Sequence, residues 1–335
     1  MSIPLCTADL GPRDAYTNFA LEKVLFETAI SDCAYLFLWQ NRNTVVIGRN
    51  QNCWSECRVA ELEEDGGTLA RRLTGGGAVY HDEGNLNFTL VFDEERAAPH
   101  LDRISAFGLV LDAVRSLGVD ASLTGRNDLV ANGLKFSGNA FLSSGSRYLH
   151  HGTILVDTDL GLLGRYLSPS GAKLASHGVA SVRSRVCNLS SVRRGIAVSD
   201  MRAALVEAAR NRCAGPSRDM TAELLRHHAV DAWRERFASP EWVYNRRESL
   251  ARVATASFPW GRLETHLECD GTRIESVRLY SDSLDPGLCP RLSLALTGAD
   301  AASLDPLVAG DAGVDDQMAD GIRWVRALVC GSERT

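Results

Sequence analysis

Lysine is scarce in this sequence, and one of its lysines stands where it could do chemistry. Only three lysines occur among 36 basic residues, namely Lys23, Lys135 and Lys173. Lys135 lies in the turn-rich run GRNDLVANGLKFSGNA, residues 125–140, which is polar in its middle. An ammonium group is a compact charge with three movable donors, which the planar guanidinium of arginine cannot copy. On this run alone, an anion-binding role and chance placement explain Lys135 equally well.

A second run, residues 71–87, carries groups that suit a phosphate. Gly75, Gly76 and Gly77 follow one another directly, and Arg71 and Arg72 precede them. Successive glycines present main-chain N–H groups with no Cβ to hinder close approach, so they can form an anion-binding concavity. The forked guanidinium of arginine matches phosphate oxygens. We interpret this run as a phosphate site; the alternative is a glycine-rich hairpin turn with exposed arginines.

Three further polar candidates are open to two interpretations each. Asp128 could bind Mg²⁺ or, with Asn127, an adenosine hydroxyl, but Asn-Asp pairs also cap turns. His150 and His151 either face a ligand or mark the entrance of a strand. Cys187 could be a nucleophile, although a small buried thiol is the commoner case.

The combination of a lysine with a phosphate loop suits acyl-adenylate chemistry. A carboxylate oxygen attacks the α-phosphate of ATP, which forms a mixed anhydride and releases pyrophosphate. The transition state gathers negative charge, so the protein mainly has to supply fixed cations and backbone donors. An ammonium between the carboxylate and the α-phosphate neutralises and aligns both groups. Lys135 is the candidate for that position.

Other classes of protein are disfavoured by composition and by missing motifs. No lysine follows a glycine, which excludes a Walker A loop, and no GxGxxG, GxSxG or HExxH pattern occurs. The nine cysteines include no CxxC pair, so we expect free thiols and no zinc site. The net charge of −6 argues against general nucleic-acid binding. No apolar run approaches the roughly 20 residues of a membrane helix, and the N-terminus does not resemble a secretory signal, so we expect a cytoplasmic protein without membrane partners.

Hydrophobic periodicity predicts an α+β chain. The apolar spacing at Leu21, Val24 and Leu25 predicts a helix over 14–30, which Asp14 could cap. Alternation at Leu86–Phe92 predicts a half-buried strand. The remaining predicted strands cover 35–39, 44–47, the surroundings of 129, 135–141, 152–157, 263–268 and 274–280. The remaining predicted helices cover 104–114, 201–212, 221–237 and 300–308. Because short strands come in runs rather than in a regular βαβ repeat, the class is α+β. We expect a small second domain from about residue 250.

Taken in order, the motifs resemble those of the bacterial lipoate–protein ligase A family, within the biotin and lipoate ligase superfamily. The matching segments are Arg71-Arg-x-x-Gly-Gly-Gly-Ala-Val-Tyr-His-Asp82, Gly125-Arg-Asn-Asp128, Lys135-x-Ser-Gly-Asn-Ala140, His150-His-Gly-Thr153 and Lys173-Leu-Ala-Ser-His-Gly-Val-x-Ser-Val-Arg-Ser-Arg185. The tail resembles the accessory domain of that family at Phe258-Pro-Trp-Gly-Arg-Leu-Glu264 and Tyr280-Ser-Asp-Ser-Leu-Asp-Pro286. The resemblance covers nearly the whole chain.

The resemblance implies a two-domain, ATP-dependent ligase. Residues 1–248 would form a large catalytic domain with mixed sheets flanked by helices, and residues 249–335 a small α+β accessory domain. The enzyme would convert lipoate to lipoyl-AMP, and octanoate could serve as an alternative acid. It would then transfer the lipoyl group to a lysine of the lipoyl domains of 2-oxoacid dehydrogenase E2 subunits or of the glycine-cleavage H protein.

The resemblance also assigns site residues by position. Lys135 would be the catalytic residue. The ATP and lipoyl-AMP site would consist of Arg72, Gly75, Gly76, Gly77, Ala78, Val79, Tyr80, Asn127, Asp128 and Lys135. The lipoate site would consist of Lys135, Arg72 and His151. No fixed metal site is implied, since Mg²⁺ would enter with ATP, near Asp128.

Two departures from the family pattern keep an alternative open. Thr74 stands where serine is common, which keeps the hydroxyl. Cys187 stands where threonine is frequent, and related octanoyltransferases use a cysteine nucleophile without ATP. The accessory domain argues against that activity, because octanoyltransferases usually lack it. The Gly-Arg-Gly-Arg phosphate loop of biotin ligases is missing, which argues against biotin ligation. A protein that binds lipoyl-AMP without turnover is the weakest alternative.

Overall fold

The computed structural model describes residues 2–29, 32–97, 100–167, 185–245, 250, 252–304 and 315–331. The chain divides into two units. Unit 1 comprises Met1–Ile47, Trp54–Arg72 and Ala78–Val243, and unit 2 comprises Gly48–Cys53, Leu73–Gly77 and Tyr244–Thr335. Unit 2 therefore takes in two short internal segments besides the tail, which a division at residue 248 does not anticipate.

Strands organise unit 1, and most of them join one mixed sheet. They are β1 (Ile3–Arg13), β2 (Ala34–Asn41), β3 (Thr44–Ile47), β4 (Thr68–Arg71), β5 (Val79–His81), β6 (Asn85–Asp93), β7 (Ala121–Thr124), β8 (Asp128–Ala131), β9 (Leu134–Ser144), β10 (Arg147–Leu155) and β11 (Ala214–Asp219). Eight of these form a sheet in the order β11-β1-β2-β6-β10-β9-β8-β7, in which β1 runs parallel to both of its neighbours. A smaller sheet has the order β4-β3-β5. The predicted α+β class is confirmed.

Helices up to residue 243 cover these sheets. They are α1 (Ala15–Thr28), α2 (Cys53–Glu56), α3 (Val59–Glu64), α4 (Glu94–Ala97), α5 (Arg103–Ser116), α6 (Leu160–Tyr166), α7 (Leu189–Val192), α8 (Val198–Cys213), α9 (Thr221–Leu225), α10 (Val230–Ala238) and α11 (Pro240–Val243). As predicted, Asp14 caps α1, because its carboxylate accepts a hydrogen bond from the Thr17 N–H. The predicted single helix over 221–237 is wrong. Leu224 and Val230 are both buried, and their spacing of six would put them on different faces of one helix.

Strand β6 is buried on both faces, so the prediction of a half-buried strand is wrong in this respect. All nine of its residues are buried, including the polar Asn85, Asn87 and Thr89. On one face, Phe88 and Leu90 join the main hydrophobic core with residues of α5 and α8. The polar residues of β6 lie on the other face, since side chains alternate along a strand. A buried polar face needs hydrogen-bond partners, which makes it a place to look for chemistry.

Unit 2 has its own core. Strands β12 (Arg252–Phe258), β13 (Gly261–Asp270) and β14 (Arg273–Ser281) form an antiparallel meander. Helices α12 (Leu288–Leu296) and α13 (Asp316–Cys330) pack on it through residues such as Leu292 and Val325. The predicted helix over 300–308 is wrong for 301–303, which form a turn, and 305–308 lie outside the described residues.

Candidate active site

The hairpin of β8 and β9 positions Lys135 next to Asp128. Its two-residue turn is Asn132-Gly133, with φ values of 53° and 75°, the left-handed conformations that a tight hairpin needs. The turn pairs Val130 with Lys135, and an irregularity between Leu129 and Val130 shifts the register by one residue, so that Asp128 pairs with Gly138. The Lys135 Nζ lies 2.7 Å from the Asp128 Oδ1, and both side chains are 35% exposed. The ammonium is therefore oriented by a carboxylate while it stays accessible to a ligand.

Gly138 makes room for the Lys135 side chain. A Cβ at residue 138 would lie 2.9 Å from the Lys135 Nζ and 3.0 Å from its Cε. The first distance is too short for a real Cβ and the second is tight, so any larger residue would displace the ammonium. On the neighbouring strand, the Thr153 Oγ1 accepts a hydrogen bond of 3.3 Å from the Gly138 N–H. The presence of glycine at position 138 in the Lys-x-Ser-Gly motif is thus explained by the packing of the Lys135 side chain against it.

Asn127 joins this group through its backbone and its amide. Its Nδ2 donates to the Asn139 carbonyl at 2.6 Å, and its own carbonyl accepts from the Asn139 N–H at 3.1 Å. Reciprocal bonds of this kind hold the end of the β8 strand firmly against β9. Three of the predicted site residues, Asn127, Asp128 and Lys135, therefore form one cluster.

Arg72 and His151 belong to a second cluster, which is buried. Arg72 follows β4 and is only 6% exposed, and its Nη1 donates to the Val46 carbonyl at 3.4 Å. Burial lowers the pKa of Arg72 to about 10, which the nearby charge of Glu22 partly opposes. The His151 Nδ1 lies 2.8 Å from the Glu22 Oε2. His151 lies on β10, the strand next to the one that carries Lys135.

Glu22 and His81 are members of this cluster to which the sequence assigned no role. The Glu22 Oε2 also accepts a 2.7 Å bond from the Thr89 hydroxyl, on the polar face of β6. His81 is 2% exposed, and burial together with the charges of Arg72 and His151 lowers its pKa to about 3. Its Nδ1 faces the Asn41 Nδ2 at 3.0 Å, so the neutral ring carries its proton on Nε2. Among the described residues, this Nε2 has no hydrogen-bond partner.

A signal for both residues was present in the sequence. Glu22 is an acidic residue on the apolar side of α1, between Leu21 and Val24, where a charge is costly unless it is paired. His81 lies inside the glycine-rich motif itself, directly after Tyr80. Burial of this many ionisable groups in one place is typical of a functional site.

The three glycines of the predicted phosphate loop belong to unit 2. The Gly76 N–H donates to the Ser283 carbonyl at 2.8 Å, and Gly76 has a φ of 89°. A Cβ on Gly75 would lie 2.2 Å from the Ser283 carbonyl oxygen, whereas one on Gly77 would meet no atom within 4 Å. The backbone of Ser283 therefore lies close to the backbone of this loop, which is possible because the glycines carry no Cβ. The Gly76 N–H is already engaged by the Ser283 carbonyl.

We expect Gly75→Ala to destabilise unit 2, whereas Gly77→Ala does not. The methyl group at 75 overlaps main-chain atoms of Ser283 and Leu284 that cannot rotate away, at a cost of about 1–3 kcal/mol. The methyl group at 77 meets open space and should stay within about 0.5 kcal/mol of wild type. Urea unfolding of the full chain, followed by tryptophan fluorescence, measures both. Equal midpoints for the two variants would contradict the packing of this loop.

The side chains of two residues in the glycine-rich motif make structural contacts within unit 1. The Arg71 Nε donates to the Trp242 carbonyl and the Nη2 to the Val243 carbonyl, both at 2.9 Å, so this guanidinium secures the end of unit 1. The Tyr80 hydroxyl donates to the Asn43 Oδ1 at 3.2 Å, and its ring packs against Tyr166. Ala78 and Val79 are partly buried, and Val79 pairs with Val46.

Cys187 occupies a position unsuited to nucleophilic attack. Its backbone N–H donates to the Lys135 carbonyl at 2.9 Å, and the residue is 5% exposed. Its sulfur lies 3.6 Å from the Leu134 carbonyl, inside the β8–β9 hairpin. Burial raises the pKa of the thiol, which disfavours the thiolate that attacks. The interpretation as a small buried thiol is the one that the geometry supports.

Some candidates fall outside what the structure describes. Lys173 and Arg183 lie in the segment 168–184, which is not among the described residues. In the described part of the chain, no three His, Cys, Asp or Glu side chains are grouped as metal ligands would be. No helix of that part has the length and apolar character to cross a membrane.

Comparison with known proteins identifies the family. The model of the lipoyl protein ligase A/B catalytic domain matches residues 14–210, and that of the bacterial lipoate protein ligase C-terminus matches residues 252–303. Lipoate-protein ligase A of Psychrobacter cryohalolentis is 36% identical over 287 residues, which are 83% of this chain and 84% of the relative. The chain belongs to the lipoate–protein ligase family. The resemblance inferred from the motifs is thereby confirmed.

Solved structures of lipoate ligases share the fold. LipL1 of P. falciparum in complex with lipoate superposes with a TM-score of 0.78 at 25% identity, and the alignment covers 98% of this chain and 99% of that one. A lipoate-protein ligase A bound with ATP gives a TM-score of 0.59 at 25% identity, covering 73% and 99%. The bi-partite lipoate protein ligase of Thermoplasma acidophilum gives 0.61 at 26% identity, covering 74% and 99%.

Proposed function

We propose that this lipoate–protein ligase activates lipoate with ATP to lipoyl-AMP and transfers the lipoyl group to a lysine of an acceptor domain. The observation that carries the proposal is Lys135, an accessible ammonium that Asp128 orients at 2.7 Å. Lipoate-bound and ATP-bound relatives with the same fold support both substrates. The first step forms a bond between a lipoate oxygen and the α-phosphorus and breaks the bond to pyrophosphate. The second forms an amide with the acceptor lysine and releases AMP.

Lys135 acts in both steps. In the first, two anions have to approach each other, and one fixed ammonium lowers their repulsion and aligns them. In the second, the same charge polarises the acyl carbonyl while the acceptor amine attacks. Asp128 supports this role because it holds the Nζ without burying it.

The remaining site residues are assigned by their surroundings. Asn127 and Asp128 lie at the end of β8 beside Lys135 and are suited to the adenosine side of the nucleotide. Arg72 would bind phosphate oxygens through its guanidinium, and main-chain N–H groups of 78–80, in the same unit, could do the same. The buried cluster that contains Arg72 and His151 would also contact lipoate. Mg²⁺ would enter with ATP, held mainly by phosphate oxygens, and Asp128 is the carboxylate that could add a ligand.

The acceptors proposed for this chain are lipoyl domains. The T. acidophilum structure pairs a ligase with its E2 lipoyl domain. We extend this to E2 subunits of 2-oxoacid dehydrogenases and to the H protein of glycine cleavage, in the cytoplasm. Purified chain, lipoate and an apo lipoyl domain, followed by intact-mass spectrometry, test the proposal. Lipoylation should require ATP, and modification that proceeds equally without ATP would refute it.

Octanoyl transfer through Cys187 is not favoured, and a variant separates it from ligation. We expect Cys187→Ala to keep lipoate-dependent activity within about threefold of wild type, because the thiol has no part in the adenylate transition state. The measurement is the initial rate of lipoyl-domain modification with ATP, alongside a rate with octanoyl-acyl carrier protein and no ATP. Loss of the first rate in Cys187→Ala, or a substantial second rate in the wild type, would restore the cysteine mechanism.

A further inference from the structure

His150 lies in an apolar cage on the face of the sheet opposite to His151. Its ring is fully buried, and its centroid lies 4.7 Å from that of Phe107, 4.9 Å from Phe141 and 5.3 Å from Phe88. A histidine in such surroundings is costly unless its polar atoms are bonded. Among the described residues its Nδ1 has no partner, and its Nε2 lies 2.8 Å from the Asn139 Oδ1. The contact with Asn139 is thus the polar interaction that the imidazole makes in this cage.

The hydrogen bonds of Asn139 determine which atoms donate. The Asn139 Nδ2 lies 3.0 Å from the Asn127 carbonyl, which can only accept, so the amide nitrogen must face it. The amide oxygen then faces His150, and the His150 Nε2 must carry the proton. Burial lowers the pKa of His150 to about 3, in keeping with a neutral ring. The two hydrogen bonds that link His150 to Asn139 and Asn139 to Asn127 therefore each have a defined donor and acceptor.

Asn139 connects the cage to the residues around the reacting groups. The Asn127 carbonyl accepts from both the side chain and the main-chain N–H of Asn139. The next residue, Asp128, holds the Lys135 Nζ at 2.7 Å. A rotation of the Asn139 amide would remove one of the three hydrogen bonds between Asn139 and Asn127, which would loosen the start of β8 without releasing it. The position of the carboxylate that orients Lys135 therefore depends on the rotamer of Asn139.

We propose that His150 is a positioning residue for adenylate formation, because its Nε2–H fixes the Asn139 amide that holds Asn127, Asp128 and so Lys135 in place. The proposal rests on the proposed role of Lys135. His150 itself does not reach the substrates, since its ring is enclosed by three phenylalanines. The effect should therefore be transmitted through Lys135 and appear mainly in the rate of the chemical step, where the alignment of the ammonium matters most.

The test compares His150→Phe, which fills the cage without a donor, with His150→Gln, whose Nε2 can reach the same acceptor. The assay is lipoate-dependent exchange of pyrophosphate into ATP. We expect His150→Phe to lower kcat by about 10–100-fold, since a misplacement of about 1 Å can cost that much. The KM for lipoate should change by less than about threefold, because the Lys135 ammonium stays in the site and its misalignment affects mainly the transition state. His150→Gln should recover most of the lost kcat.

Two further variants distinguish positioning from general damage. Tyr148→Phe changes a residue of the same strand that stacks on Phe141 at 5.9 Å, and it should leave kcat unchanged. Asn139→Ala removes the acceptor of this bond together with the amide's own bonds to Asn127 and Ser137, so adding His150→Phe to it should cause no further loss, because the bond that His150→Phe breaks is already gone. Should His150→Phe fail to fold, Asn139→Ala and His150→Gln still give opposite expectations, a loss and near-retention of kcat.

The outcomes separate this proposal from the proposed function. Wild-type chain without lipoate-dependent exchange would refute the ligase activity itself. An active wild type with a folded His150→Phe variant of equal kcat would refute only the positioning role. A loss of kcat in His150→Phe that His150→Gln does not recover would also overturn the positioning role. Any substitution in the cage would then lower kcat, whether or not the hydrogen-bond donor is kept.

Discussion

Replacing Lys135 by arginine should abolish lipoate-dependent pyrophosphate exchange, with a loss of at least about 100-fold in kcat. The positive charge is kept, but a planar guanidinium cannot take the place of a compact ammonium between two anions. Lys135→Ala should be equally inactive. Full activity in Lys135→Arg would refute the requirement for an ammonium.

Lys23 offers a matched control for that substitution. Its Nζ pairs with Glu27 at 2.8 Å and lies 4.9 Å from the centre of the Trp233 ring. Arginine can satisfy both a carboxylate and an aromatic face, so Lys23→Arg should retain activity and stability. A comparable loss in Lys23→Arg would show that the assay responds to any exchange of lysine for arginine.

Replacing Arg72 by leucine should cost both activity and stability. Glu22 is 1% exposed, and the charge of Arg72 acts on it within the buried cluster. Without Arg72 a buried carboxylate loses compensation, which typically costs about 3–5 kcal/mol. Phosphate and lipoate binding should be lost as well, since the guanidinium is the cation of this cluster. Urea unfolding and lipoylation rates measure the two effects separately.

A second substitution distinguishes the two effects of Arg72→Leu. Adding Glu22→Gln removes the uncompensated charge, so the double variant should regain part of the stability and none of the activity. The exposed pair Arg42–Glu83 serves as a control, because Arg42→Leu should change the free energy of unfolding by less than about 1 kcal/mol. If Glu22→Gln restores no stability, then the buried carboxylate is not the source of the cost.

The sequence predicted strands around residue 129 and over 135–141 in a turn-rich run, and these are the strands of the hairpin that presents Lys135. Asn132-Gly133 between apolar residues is a strong turn signal, and this turn pairs Val130 with Lys135. The register shift between Leu129 and Val130, which pairs Asp128 with Gly138, was not predicted. The scarcity of lysine pointed to Lys135 as well, and the contact with Asp128 explains physically why a lysine is suited to this position. Motif order then identified the family, because several short polar motifs in one order are far more specific than any single motif.

The buried cluster could not be predicted from local patterns. Glu22 is on α1 and His151 on β10, and only the folded sheet brings them to 2.8 Å. The alternation of polar and apolar residues in β6 predicts that the face with Asn87 and Thr89 is exposed to solvent. In the structure this face is buried, because helices cover both sides of the strand. The grouping of Gly75–Gly77 with unit 2 is equally invisible in sequence, because it depends on main-chain contacts with Ser283. Strand β1 escaped notice because Pro4, Gly11 and Pro12 are poor strand formers.

Lipoate-dependent exchange of labelled pyrophosphate into ATP is the most direct measurement of adenylate formation by this chain. It should be run with lipoate, octanoate and biotin side by side, on wild type and Lys135→Arg. We predict exchange with lipoate, none with biotin, and none with any acid in Lys135→Arg. Wild-type chain that supports no exchange with lipoate, or a Lys135→Arg variant that exchanges at the wild-type rate, would contradict adenylation at Lys135.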